Sequence, residues 1–224
     1  MRPLVVFDMD GVLVDVGDSY RETICRTVEH FTGRAITREL IQDYKNRGGW
    51  NNDWALSQKI ASDLGAAVDY DTVVEHFQKL FIGNGTDGLI LRERWIARAG
   101  TFEGLTKRFD LAVFTGRPRE EAALTLNRCA GGICFDPIVC ADDVEHGKPA
   151  PDGLLLIAQR FPGRKLWYVG DTVDDARCAR AAGIPFVGIA APGAPRHSDV
   201  IQLLKDDGAV AVLDDINQLE GVLA

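Results

Sequence analysis

No stretch of the 224 residues approaches the roughly 20 consecutive apolar residues that a membrane-spanning helix requires, so no membrane partner is expected. The five cysteines, Cys25, Cys129, Cys134, Cys140 and Cys178, contain no CxxC pair and are odd in number. That excludes a disulfide framework and favours reduced thiols in the cytoplasm. Cys129 or Cys140 could be read as a nucleophile, but small buried core residues are the simpler reading. A basic excess is also missing. Lysine and arginine number 25 against 33 aspartates and glutamates, a formal charge of −8, which argues against a nucleic-acid partner. There is no internal repeat and no low-complexity linker. Met-Arg-Pro runs straight into the first apolar segment, so no signal peptide is expected.

What is present fits a globular protein. Hydrophobic residues make up 46% and charged residues 26%, enough to bury a core without disulfides. The length is generous for one domain and short for two, which suits a core with a smaller inserted module. The chain is organised around LVVF at residues 4–7, a short buried strand, followed at once by Asp8-Met9-Asp10-Gly11. Carboxylates at a strand's carboxyl end lie where open α/β sheets bind ligands. In extended backbone Asp8 and Asp10 point to one side, about 7 Å apart. Like charges so placed call for a cation between them, and Mg²⁺ suits a site of carboxylates, water and phosphate oxygens. The plainer alternative is a polar turn with Gly11 at an unusual backbone angle.

Residues 16–98 read as a helical block. Asp18 or Ser19 can start a helix to Thr32 with Tyr20, Ile24, Val28 and Phe31 on one face; further helices are predicted at 37–46, 53–64 and 71–81, begun by Thr37, Asn52 or Asp53, and Asp71, with Gly65 at a helix end. Within it, RGGWNNDW at 47–54 either lines a pocket or packs the module's own core. The segment LILRERW at 89–95 is expected to be a solvated return helix, with Arg94 as an alternative contact for an anionic substrate. From residue 110 strands and helices alternate, as parallel βαβ units require, with strands at 111–114, 138–140, 165–169, 185–189 and 209–213 and a Pro-Gly turn at 192–195.

Four segments then occur in a telling order: FDMDGVLVD at 7–15, FTGRP at 114–118, HGKPAPD at 146–152 and GDTVDD at 170–175. Together they resemble the haloacid dehalogenase superfamily, in the branch whose helical cap follows the first motif. The resemblance implies a Rossmann-like, doubly wound parallel α/β sheet, with residues 1–15 and 99–224 as core and 16–98 as cap. It implies Asp8 as nucleophile, Asp10 as general acid and base with its carbonyl on the metal, and Thr115 with neighbouring Gly116 and Arg117 around the phosphoryl oxygens. Lys148 would offset charge at the nucleophile. Asp171 would complete a Mg²⁺ site with Asp8 and Asp10, and Asp175 would act through metal-bound water or orient Lys148. Asp174 is expected to favour the helix dipole, although which of the adjacent acids helps the metal stays open. Asn51, Asn52 and Arg94 are expected to meet the substrate from the cap.

The expected activity is hydrolysis of a small phosphorylated metabolite, resembling phosphoglycolate phosphatase. A β-phosphoglucomutase-like mutase is the alternative enzyme and a histidinol-phosphatase-like role a weaker one; a catalytically silent binding module is the alternative of another class.

Overall fold

The computed structural model describes residues 2–223. β1 (Leu4–Phe7) is wholly buried because it lies between two parallel neighbours, and alternation sends its side chains into two cores. Val5 and Phe7 join one cluster, Leu4 and Val6 the other. Phe7 meets Phe102 and Phe135 edge to face, with ring centroids 5.7 and 6.2 Å away.

After β1 come β2 (Val14–Asp15), α1 (Tyr20–Thr32), α2 (Arg38–Arg47), α3 (Asp53–Asp63), α4 (Tyr70–Phe81) and β3 (Arg94–Trp95). Thr37, Asn52 and Asp69 cap α2, α3 and α4 by accepting backbone N–H groups, which fixes where each helix begins. The fourth helix therefore starts from Asp69, not from the expected Asp71. Tyr20 of α1 stacks against Phe81 of α4 at 4.1 Å, and Ile24, Val28, Ile41, Leu56, Ile60 and Phe77 complete the interior of this insertion.

The expected return helix at 89–95 is not formed. A short 3₁₀ turn, Leu89–Arg92, is followed by β3, which pairs antiparallel with β2 in the register Val14↔Trp95 and Asp15↔Arg94. Leu89 and Ile90 are buried, and the strand backbone gains cross-strand hydrogen bonds that a solvated helix would not make. Both ends of the insertion are thus held side by side.

The remaining elements are α5 (Thr101–Arg108), β4 (Asp110–Phe114), α6 (Arg119–Cys129), β5 (Ile138–Val139), α7 (Asp152–Arg160), β6 (Leu166–Gly170), α8 (Val173–Ala182), β7 (Phe186–Ile189), α9 (His197–Asp206) and β8 (Ala211–Leu213). All six strands of the main sheet run parallel, in the order β5-β4-β1-β6-β7-β8. The order therefore departs from β1 in both directions. Such a switch point opens a crevice beyond the strands' carboxyl ends, between β4, β1 and β6.

Candidate active site

The ends of β1 and β6 deliver the acids to this crevice, and the loop between β5 and α7 brings the lysine. Asp8 follows β1 and its N–H donates to the Val169 carbonyl of β6 at 2.8 Å. The chain then turns sharply, with Gly11 at φ 70°. A side chain at Gly11 would also collide with the Asp171 carboxylate, so the glycine lets the first loop close over the end of β6. Beyond Asp171, Thr172 and Asp175 form a reciprocal cap that starts α8.

Lys148 lies against Asp8. Its ammonium is 2.8 Å from Asp8 Oδ1 and 2.8 Å from Asp175 Oδ1, over the rings of Phe114 and Tyr168. Both oxygens of Asp175 are occupied: Oδ1 by Lys148 and by the Tyr168 hydroxyl at 2.6 Å, Oδ2 by the Thr172 N–H and hydroxyl. Of the two roles expected of Asp175, this arrangement favours orienting Lys148. Asp174 does more than face the helix dipole. Its two oxygens accept the Gly49 N–H at 2.8 and 2.9 Å, joining α8 to the loop after α2.

The electrostatics are unbalanced in one direction. Burial pushes the Asp8 carboxyl up to about 7 against the pull of Lys148, with Asp175 and Asp10 adding repulsion. Asp171 is raised well above the carboxylate range by burial, then by Asp175 and Asp8. Burial would raise Asp175 too, but Lys148 and the surrounding hydrogen bonds outweigh it and hold Asp175 low. For Lys148 burial disfavours the charge, while Asp175 and Asp8 hold it above the ordinary lysine range.

One lysine does not neutralise three clustered acids. Carboxylate oxygens of Asp8, Asp171 and Asp175 lie within 4.8 Å of one another, and Asp171 Oδ1 is buried without a hydrogen-bond partner among the described residues. A buried carboxyl oxygen without a partner, on a residue that clusters with other hard oxygen donors, fits a hard divalent cation such as Mg²⁺. The Asp10 carboxylate stands outside that cluster.

On the β4 side, Thr115 is buried and its hydroxyl accepts the Arg117 N–H at 3.2 Å. Arg117 lines the cleft, but its side chain is turned to protein partners. Its guanidinium is ion-paired with Asp10 and Glu93 and donates to Thr125, so its charge is spent within the protein. Gly116 has a different reason to be small: a side chain there would collide with the amide of Asn51, which reaches down from the insertion.

The crevice encloses a cleft of about 180 Å³, lined on the sheet side by Asp8, Asp10, Gly116 and Asp171 and on the insertion side by Tyr20, Arg21, Lys45, Asn51, Asn52, Asp53 and Trp54. RGGWNNDW thus does both things expected of it. Trp54 lines the cleft, and Trp50 packs edge to face on Tyr44. Asn52 uses its side-chain oxygen to cap α3 and donates to the Tyr70 hydroxyl.

Arg94 is not brought to the cleft. Its guanidinium is largely exposed and pairs with Asp15 at 2.7 Å, because β3 points it along the outside of the ribbon. Arg21, Lys45 and Glu93 were not anticipated. Lys45 is buried, 2.7 Å from Asp53, and Arg21 lies 3.4 Å from the other oxygen of Asp53. A lysine in a polar helix carries no sequence signal for this, since only tertiary packing turns it inward. Cys140 and Cys178 are buried free thiols pushed up to about 11 and about 12 by burial, which opposes the nucleophile reading of Cys140.

The parallel sheet and its acid-lined, lysine-backed crevice define an α/β protein of the doubly wound class with its candidate site at the end of β1. The haloacid dehalogenase-like hydrolase family profile matches residues 3–183, and the chain belongs to that family. It is 30% identical to a phosphorylated carbohydrates phosphatase of Thermotoga maritima over 80% of this chain and 81% of the relative. Identity is also 30% with the phosphoglycolate phosphatase of Escherichia coli, over 83% and 80%. An imidazoleglycerol-phosphate dehydratase of Phytophthora nicotianae is 34% identical over 84% of this chain, which spans only 43% of that protein. Among solved structures, a haloacid dehalogenase-like hydrolase from Bacteroides fragilis superposes with a TM-score of 0.77 at 21% identity, covering 98% of this chain and 100% of the other. No helix among the described residues is long and apolar enough to cross a membrane.

Proposed function

We propose that this chain is a Mg²⁺-dependent phosphatase of small phosphorylated metabolites, working through an aspartyl phosphate on Asp8. The observation that carries the reading is the contact of Asp8 with the buried Lys148, beside the orphaned carboxylate oxygen of Asp171. Asp8 would attack phosphorus through a carboxylate oxygen while Lys148 holds that carboxylate in place and lowers the repulsion between two anions. Asp10 would donate a proton to the leaving oxygen, then take one from the water that hydrolyses the aspartyl phosphate. Asp8, Asp171 and the Asp10 carbonyl would hold Mg²⁺, which supplies charge neutralisation of the phosphoryl oxygens when bound. Thr115 and the N–H of Gly116 would hold those oxygens, with the Arg117 N–H bonded to the Thr115 hydroxyl.

The cleft volume favours a compact ester, well below the ~300 Å³ at which drug-sized ligand pockets begin. The insertion side is cationic at Lys45 and Arg21 and anionic at Asp53, so the leaving group would be read there. Five free thiols support a cytoplasmic setting.

The test is phosphate release from a panel of small esters, including 2-phosphoglycolate, hexose phosphates and histidinol phosphate, with and without Mg²⁺. Mg²⁺-dependent release from at least one small ester is expected. Isomerisation of a sugar phosphate without release would favour a mutase instead. Inactivity on the whole panel would count against the reading.

A further inference from the structure

We propose that Arg117 is a positioning residue that selects which oxygen of Asp10 carries the transferred proton, with Glu93 as its anchor. The proposal rests on the reading of Asp10 as general acid. Arg117 is buried, and its Nε and one terminal nitrogen converge on the same oxygen, Asp10 Oδ1, with Nε at 2.8 Å. Two cationic N–H groups fill the acceptor directions of Oδ1 and disfavour a proton there, whereas Oδ2 receives none from Arg117. The acidic proton is thereby confined to Oδ2. As the bond from phosphorus to the leaving oxygen breaks and the bond to Asp8 forms, that proton passes from Oδ2 to the leaving oxygen. Asp10 is left as a carboxylate already paired with Arg117, and water later returns the proton.

The rest of the guanidinium is fixed from behind. One terminal nitrogen lies 2.7 Å from Glu93 Oε1, and the other donates to the Thr125 hydroxyl at 2.8 Å, which itself donates to Glu93 Oε2 at 2.6 Å. The Tyr20 ring closes the remaining face, 4.7 Å from the guanidinium carbon. Glu93 has a fully buried side chain and lies immediately before β3, on the returning stem of the insertion. An arginine held this completely cannot follow a substrate, yet it can hold a neighbouring carboxylate in one rotamer. A purely structural arginine would need the buried Glu93 alone. The second acid it grips is one that also lines the cleft.

The experiment exploits leaving-group chemistry. An alkyl phosphate must expel an alkoxide and needs the proton, whereas 4-nitrophenyl phosphate expels a stable phenolate and does not. kcat/KM reports steps only through phosphorylation of Asp8, so it isolates the donation. Asp10→Asn and Arg117→Lys should each lower kcat/KM for an alkyl phosphate about tenfold or more, while 4-nitrophenyl phosphate changes less than about threefold. Glu93→Gln, which does not line the cleft, should act in the same direction and more weakly; it keeps the proposal testable if Arg117→Lys folds poorly. Equal losses on both substrates, or no loss on either, in Arg117→Lys and Glu93→Gln would overturn the positioning role while Asp10→Asn still discriminates. If Asp10→Asn itself shows no leaving-group dependence, the acid assignment falls and the proposal with it.

Discussion

At Gly11 two demands coincide, a left-handed backbone angle and a close approach to Asp171. Gly11→Ala should therefore cost about 1–2 kcal/mol from the backbone angle alone and displace Asp171 as well. Thermal unfolding and Mg²⁺ titration would show both losses; wild-type Mg²⁺ affinity would refute the link to Asp171. The carboxyl of Asp8 makes a second prediction. Between its ordinary value of 3.8 and about 7, the folded chain keeps a proton that the unfolded chain has released, so this group's contribution to stability falls as pH rises through that window. Asp175 acts oppositely, since its lowered value adds stability that is lost as pH falls. Because a cation binds the ionised carboxylates, Mg²⁺ should raise the unfolding temperature of chelator-treated protein strongly near pH 7.5 and little near pH 4.5. Equal shifts at both pH values would contradict this. The acids themselves were legible in the sequence, since DxDG and GDxxxD lie at strand ends. The employment of Arg117 was not, because an arginine beside a phosphate motif reads as a substrate contact until Glu93, 24 residues away, is seen behind it.

The elements most exposed to function are α2 and the loop that follows it. Asp174 accepts Gly49, Arg177 donates to the Arg47 carbonyl at 3.3 Å, and Arg196 pairs with both oxygens of Asp43. The insertion is thus held against α8 and α9 on the side where Lys45 and Asn51 face the cleft. Asp174→Ala should remove about 1.5–3 kcal/mol, the range for a hydrogen bond to a charged group, from that attachment. The expected reading is a raised KM with a smaller change in kcat, and an unchanged KM would sink it. Lys45→Met should weaken turnover of esters with an anionic leaving group several-fold more than that of neutral ones, measured as kcat/KM across matched substrates. The four helices are legible from local apolar spacing, and the caps of α2 and α3 from Thr37 and Asn52, whereas the start of α4 lies at Asp69 and not at the expected Asp71. The ribbon of β2 and β3 was not, because two-residue strands are set by each other across the insertion and carry no local pattern.

Across the whole molecule, the parallel sheet places one chemical group at the end of each strand from β1, β4 and β6, and the helical insertion covers them. The strands of the main sheet lie within two residues of their expected positions, since buried parallel strands are short apolar runs bounded by turns. The order of those strands was implied only by resemblance. Everything proposed for the cleft requires that Asp8 take up the phosphoryl group. The direct measurement of that step is acid quenching of the enzyme during turnover of a small phosphate ester with Mg²⁺, followed by mass spectrometry of its peptides. The account predicts one phosphoryl group on the peptide containing Asp8, absent in Asp8→Asn along with about a thousandfold or greater loss of turnover. A phosphoryl group on another residue, or undiminished turnover in Asp8→Asn, would contradict it.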